Sequence, residues 1–207
     1  MLKEFEKRLL SSIILIPSTF LIILEGEIFF YIFLSLAFLI SSYEWLKMIK
    51  RYDLKILGIL FLLFSFYSAF YFRSQNLEGF LLIILICIST DIGGYLFGKL
   101  FKGPKLTKLS PNKTYAGMFG GYFLSLISVT TIPYFKYDVM LLNDFLIVIA
   151  ISSVSQIGDI TISYFKRLSK IKDTGKIIPG HGGLLDRVDG MIFAFPFTFI
   201  IVYIGLF

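Results

Sequence analysis

Seven stretches of the chain are almost purely apolar, at about residues 9–24, 26–42, 55–72, 79–98, 117–135, 140–165 and 190–207. A membrane-spanning helix needs roughly 17 to 25 mainly apolar residues, and within lipid a helix satisfies its own backbone polar groups inside one segment. The pattern therefore predicts an all-α, polytopic integral membrane protein with about seven transmembrane helices. The first two runs meet at Glu25-Gly26-Glu27, which predicts a tight hairpin.

Composition agrees, since 57% of the 207 residues are hydrophobic and 16% charged, too little polar surface to cover a fold in water. The net charge of +6 does not read as a nucleic-acid surface, because the basic residues lie between apolar runs and form no patch. With the N-terminus in the cytoplasm, all of the 20 Lys and Arg residues except Arg73 and Lys136 fall on the cytoplasmic side, as the positive-inside rule requires of short loops. That orientation puts two polar loops, after the fourth and sixth runs, in the cytoplasm and the C-terminus on the opposite side. The opening residues MLKEFEKRLLSS mix acids with bases and lead to no small-residue cleavage site, so no removable signal peptide is expected. Cys87, the one cysteine, reads as a buried structural thiol. Tyr43 and Trp45 read as interfacial anchors, and residues 1–78 carry no legible chemistry beyond generic spans.

Against this oily background several polar groups need a reason. Asp91 and Asp159 lie within or at the cytoplasmic ends of apolar runs, where an unpaired carboxylate costs a few kcal/mol or more. Asp186 and Asp189 are three apart, a spacing that puts both on one face of a helical turn. The helix macrodipole alone explains some such pairs; a cation between them is the alternative. Three carboxylates, Asp159, Asp186 and Asp189, with no cysteine and a single histidine, suit Mg²⁺, with Mn²⁺ as an alternative. Lys166, Arg167, Lys172 and Arg187 supply cations for phosphate oxygens, although bases at a membrane edge also serve as topology signals and lipid anchors. Gly180, Gly182 and Gly183 around His181 permit close backbone approach and an anion-binding nest. His181 itself reads as an acid or base, a metal ligand, or a brace or phosphate contact, the last being favoured.

The run GGYLFGKL at residues 93–100 nearly matches a P-loop, but Leu100 replaces the required hydroxyl residue and the segment runs through an apolar helix. Gly94 with Gly98, and Gly117 with Gly121, instead predict close helix packing.

The run SYFKRLSKIKDTGKIIPGHGGLLDRVD, Ser163 to Asp189, resembles the signature of the phosphatidate cytidylyltransferases, also called CDP-diacylglycerol synthases. The match is carried by Ser163, Lys166, Arg167, Lys172, Asp173, Gly175, Pro179, His181, Gly182, Gly183, Asp186, Arg187 and Asp189. Upstream, TDIGGYLFGKLFKGPKLTKLSPNKTYAG resembles the family's other cytoplasmic motif through Asp91, Tyr95, Gly98, Lys99, Ser110, Pro111, Lys113, Thr114 and Gly117. The resemblance covers about residues 89 to 190. It departs at Ala116, where the family usually has Glu, and at Gly190, where Ser is common.

The resemblance implies transfer of CMP from CTP to phosphatidate, giving CDP-diacylglycerol and pyrophosphate, by one transmembrane catalytic domain spanning 1–207. It implies catalytic roles for Lys166, Arg167, Lys172, Asp173, His181 and Arg187. Substrate contacts are implied for Asp91, Lys99, Ser110, Lys113, Thr114, Ser163, Gly182 and Gly183, and metal binding for Asp159, Asp186 and Asp189. Expected partners are CTP, phosphatidate and membrane lipids, with Mg²⁺, a second cation, no nucleic acid, and a homodimer packed through the glycine surfaces. The plasma (inner) membrane is the expected location. Two competing readings are a weakly active or inactive relative that binds phospholipid, and a CTP-dependent enzyme for another lipid phosphate.

Overall fold

The structure, a computed structural model, describes residues 4–107, 113–131, 142–178, 180 and 182–205. Among these residues the chain forms helices α1 (Glu4–Glu25), α2 (Glu27–Met48), α3 (Tyr52–Gln75), α4 (Leu77–Phe101), α5 (Tyr115–Thr131), α6 (Leu142–Leu168), α7 (Leu185–Val188) and α8 (Met191–Tyr203). They contain no strand, only two isolated bridges, Lys105 with Thr114 and Ile178 with Gly182. The all-α membrane architecture expected from the apolar runs is observed, a helix lying in each run among the described residues. Four segments are long and apolar enough to cross a membrane: Ile28–Met48, Tyr52–Gln75, Leu77–Phe101 and Leu142–Leu168. The expected total of seven crossings exceeds these four.

Helices α2, α4 and α6 continue past the apolar runs into basic residues, with Lys47, Lys99, and Lys166 and Arg167 in their last turns. Cations there oppose the negative end of the helix dipole. Outward positions are apolar: Ile56, Leu57, Leu60 and Leu63 on α3 are all more than half exposed, a surface suited to lipid and costly in water. The chain breaks between α1 and α2 at Gly26, whose φ of 72° is a left-handed conformation that glycine adopts without a Cβ penalty.

The chain divides into two compact units, Met1–Phe70 with Phe165–Val188, and Tyr71–Tyr164 with Asp189–Phe207. In the first, Trp45 is buried rather than interfacial, correcting the expectation for that residue. Its Nε1 donates to Leu54 O at 3.1 Å, its ring meets Phe165 edge-on at 4.9 Å, and Gly58 leaves it room, since a Cβ there would come within 2.0 Å of the indole. Tyr43 is exposed, in keeping with an anchor.

The second unit is built on the pairing of α4 with α5. A Cβ on Gly93 would lie 2.3 Å from Gly120 O, and one on Gly117 would lie 2.7 Å from Gly94 O, so the two backbones touch where only glycine fits. Hydroxyls complete the contact between helices: Thr90 with Ser152 at 2.7 Å, Ser89 with Ser128 at 2.9 Å and Tyr122 with Ser153 at 2.9 Å. The glycine faces expected to mediate a dimer are thus occupied inside the chain.

Candidate active site

In the second unit the site gathers near the end of α6. Asp159 forms an ion pair with Lys113 and accepts a hydrogen bond from Ser163 Oγ at 3.3 Å. Lys113 is brought there by a pinned loop base, in which Leu106 N donates to Lys113 O at 2.8 Å and Tyr115 N to Pro104 O at 3.1 Å. Thr114 Oγ1 accepts from Gly117 N at 3.1 Å and so caps α5. Asp189 arrives from the other side of the sequence: a Cβ on Gly158 would lie 2.6 Å from Asp189 O. The glycine before Asp159 therefore lets the Asp189 backbone press against α6. Asp189 is buried, its Oδ1 accepting from Gly190 N at 2.9 Å.

In the first unit α6 ends in a Schellman turn. Lys170 takes a left-handed φ of 56°, while Lys170 N donates to Arg167 O and Ile171 N to Lys166 O, both at 3.0 Å. The chain that follows wraps Asp186. Lys166 Nζ donates to Asp186 Oδ1 at 2.7 Å. Asp186 Oδ2 accepts from Thr174 N at 2.8 Å, Gly183 N at 3.0 Å and Thr174 Oγ1 at 3.1 Å. Burial alone would raise the Asp186 carboxyl, but the Lys166 ammonium and the two backbone N–H groups outweigh it and hold the group below its ordinary range. Gly182, with φ of 89°, turns the chain so that Ile178 N meets Gly182 O at 3.0 Å.

Beneath this loop lies a carboxylate from α2. Glu44 is 1% exposed; its Oε1 accepts from Leu184 N at 3.0 Å, and its Oε2 from Leu185 N at 2.8 Å and Thr174 Oγ1 at 2.9 Å. A Cβ on Gly175 would lie 2.4 Å from Glu44 Oε1, and one on Gly183 2.6 Å from both carboxylate oxygens. Those two glycines leave the space that the carboxylate fills.

A model of the Cytidylyltransferase family matches residues 54–205. A phosphatidate cytidylyltransferase of Rickettsia bellii is 34% identical over an alignment covering 94% of this chain and 89% of that protein. The Rickettsia conorii protein of the same name is 35% identical over 89% and 85%, and that of Staphylococcus aureus 43% identical over 60% of this chain and 48% of its own length. The chain belongs to the cytidylyltransferase family.

The cytidylyltransferase residues expected from sequence are brought together in part. Lys113, Asp159 and Ser163 meet directly, as do Lys166, Gly183 and Asp186. Asp91, Lys172, Asp173 and Arg187 are exposed; Lys99 Nζ lies 5.7 Å from the centroid of the Tyr95 ring, and Arg167 Nη1 donates to Ile171 O at 3.4 Å. Ser110 and His181 lie outside the described residues. Asp186 lies in the helical turn α7, which ends at Val188 directly before Asp189, and the two aspartates have different partners.

Among the described residues no three His, Cys, Asp or Glu side chains come together as one ligand group. Mg²⁺ normally takes one or two protein carboxylates, with water and substrate phosphate completing its octahedron. Asp159, whose side chain is 30% exposed, and Asp189, held against the same turn of α6, supply hard oxygen donors of that kind. Asp186 is already committed, with protein donors on both oxygens.

Glu44 is the functional-loop residue that sequence reading missed. The available signal was a lone acid in SSYEWLKM, at the end of the apolar run 26–42, a position like those that singled out Asp91 and Asp159. Gly190, the departure from the family's usual Ser, has a local cause, because a Cβ there would meet Ser155 Oγ at 2.3 Å.

Proposed function

We propose that this membrane protein is a phosphatidate cytidylyltransferase, forming CDP-diacylglycerol and pyrophosphate from CTP and phosphatidate. The observation that carries this reading is the set of paired Lys and Asp side chains, Lys113 with Asp159 and Lys166 with Asp186, in a chain aligned over most of its length with relatives of that name.

The chemistry asks little of the protein covalently. A phosphate oxygen of phosphatidate attacks the α-phosphorus of CTP, a new P–O bond forms, and the bond to the β-phosphate breaks to release pyrophosphate. The chain's task is to align two anions and neutralise their charge. Lys166, Arg167, Lys172 and Arg187 bind phosphate oxygens, Arg in bidentate pairs and Lys as a point charge. Lys113 and Thr114, with Lys99, Ser110, Ser163 and Asp91, contact substrate; Asp173 takes part in catalysis, and the Gly182–Gly183 turn with His181 offers close backbone approach. Asp159 and Asp189 hold Mg²⁺, with Mn²⁺ able to replace it. Asp186 is the third carboxylate that the resemblance implies for the metal. When bound, the metal supplies charge neutralisation on the triphosphate and leaving pyrophosphate.

The same reading assigns the chain to the plasma membrane as a single catalytic domain, with its N-terminus and motif-bearing loops cytoplasmic and its C-terminus opposite. Purified protein with CTP, Mg²⁺ and short-chain phosphatidate is expected to release pyrophosphate and CDP-diacylglycerol in equal amounts. Absence of both products overturns the activity. Cysteines introduced as Lys105→Cys and Arg73→Cys should label from opposite sides with a membrane-impermeant maleimide; labelling from one side overturns the orientation.

A further inference from the structure

We propose that Glu44 is a positioning residue for nucleotidyl transfer, acting through the Thr174 to Asp186 loop; the inference rests on the cytidylyltransferase reading above. Glu44 lies outside the residues matched by the family model, which begin at 54, and on a helix with no other part in the chemistry. Its burial is nearly complete, and among the described residues its donors, Leu184 N, Leu185 N and Thr174 Oγ1, are all neutral. A carboxylate desolvated without a bonded cation is costly and is tolerated only where several donors converge on it. A leucine here would avoid that cost but leave Leu184 N, Leu185 N and Thr174 Oγ1 without their acceptor, so the carboxylate and the loop are fitted to each other.

What the carboxylate does is fix a loop. Its two oxygens clamp both ends of the segment that presents Asp186: residue 174 at one end, residues 184 and 185 at the other. Thr174 Oγ1 stands 2.9 Å from Glu44 Oε2 and 3.1 Å from Asp186 Oδ2. One hydroxyl proton serves one acceptor at a time, so the Glu44 contact governs how Thr174 addresses Asp186. The loop's own N–H groups at Thr174 and Gly183 also bind Asp186. A shift in the clamp therefore moves the donors around Asp186 together, and with them the Lys166 ammonium bound to its other oxygen. Gly175 and Gly183 are glycines because the clamp occupies the space of their Cβ atoms.

Glu44→Gln tests this. It keeps the shape but turns one acceptor oxygen into an NH₂ donor facing Leu184 N or Leu185 N, so one of the clamp's two backbone contacts is lost. The expected result is a folded protein melting within a few degrees of wild type, with kcat lowered tenfold or more and KM for CTP within threefold. A fall in kcat below tenfold, or a loss confined to KM, overturns the proposal. Should Glu44→Gln not fold, Glu44→Asp is judged by the same limits; failure of both to fold assigns Glu44 to the fold alone and also overturns it. Wild-type protein in the same assay separates the two readings: no turnover there overturns the activity itself, whereas wild-type turnover matched by Glu44→Gln overturns only the role of Glu44.

Discussion

Lys166 Nζ lies 2.7 Å from Asp186 Oδ1, with the two side chains only 12% and 4% exposed. Removing one member of a buried pair strands the other charge, at a cost of about 3–5 kcal/mol. Lys166→Met is therefore expected to lower the melting temperature in detergent strongly, and Lys166→Met with Asp186→Asn to recover part of the loss. A double variant less stable than Lys166→Met alone would show that the pair is not what holds the loop.

Asp159→Asn and Asp189→Asn should each reduce turnover by about a hundredfold or more, in the range seen when a group stabilising transition-state charge is removed. The Mg²⁺ concentration for half-maximal rate should rise in any residual activity, and EDTA should abolish wild-type turnover. Full activity of either variant at unchanged Mg²⁺ dependence removes that aspartate from the metal site.

The depressed Asp186 carboxyl makes stability depend on pH in a definite direction. Its stabilising contribution is complete above the unfolded value of about 3.9 and is lost as pH falls through the lower folded value. Melting curves in EDTA, taken from about pH 5 downward, should drop more steeply for wild type than for Asp186→Asn. Parallel curves would mean that the carboxyl is not held below its ordinary range.

Gly190 and Ser155 are fitted to each other. Restoring the usual family residue with Gly190→Ser should destabilise this chain by about 1–3 kcal/mol through overpacking, because the new Cβ meets Ser155 Oγ. Adding Ser155→Ala removes that atom and should return most of the stability. If Gly190→Ser melts like wild type, Gly190 is not determined by this contact.

The apolar runs, the glycines and the anomalous aspartates were legible because each is a local property. An apolar stretch must form a helix in lipid wherever it lies in the fold, and Gly94 and Gly117 announce close packing by having no side chain. Lys166, Asp159 and Asp186 could be named as chemistry from charge in an oily setting, and the resemblance over residues 89 to 190 gave them roles. Their pairing could not be read, because several lysines lie within reach of several aspartates along the chain and only packing selects among them.

By itself the sequence determined a helical membrane protein and the residue types of a phosphate-handling site, since hydrophobicity and charge act on each segment wherever it is placed. Tertiary structure alone decided that Trp45 is core rather than anchor, and that Glu44 reaches Leu185 across 141 residues. The physical reason is that a buried carboxylate is stable only where donors converge on it, and those donors belong to backbone whose position is known only once the chain has folded.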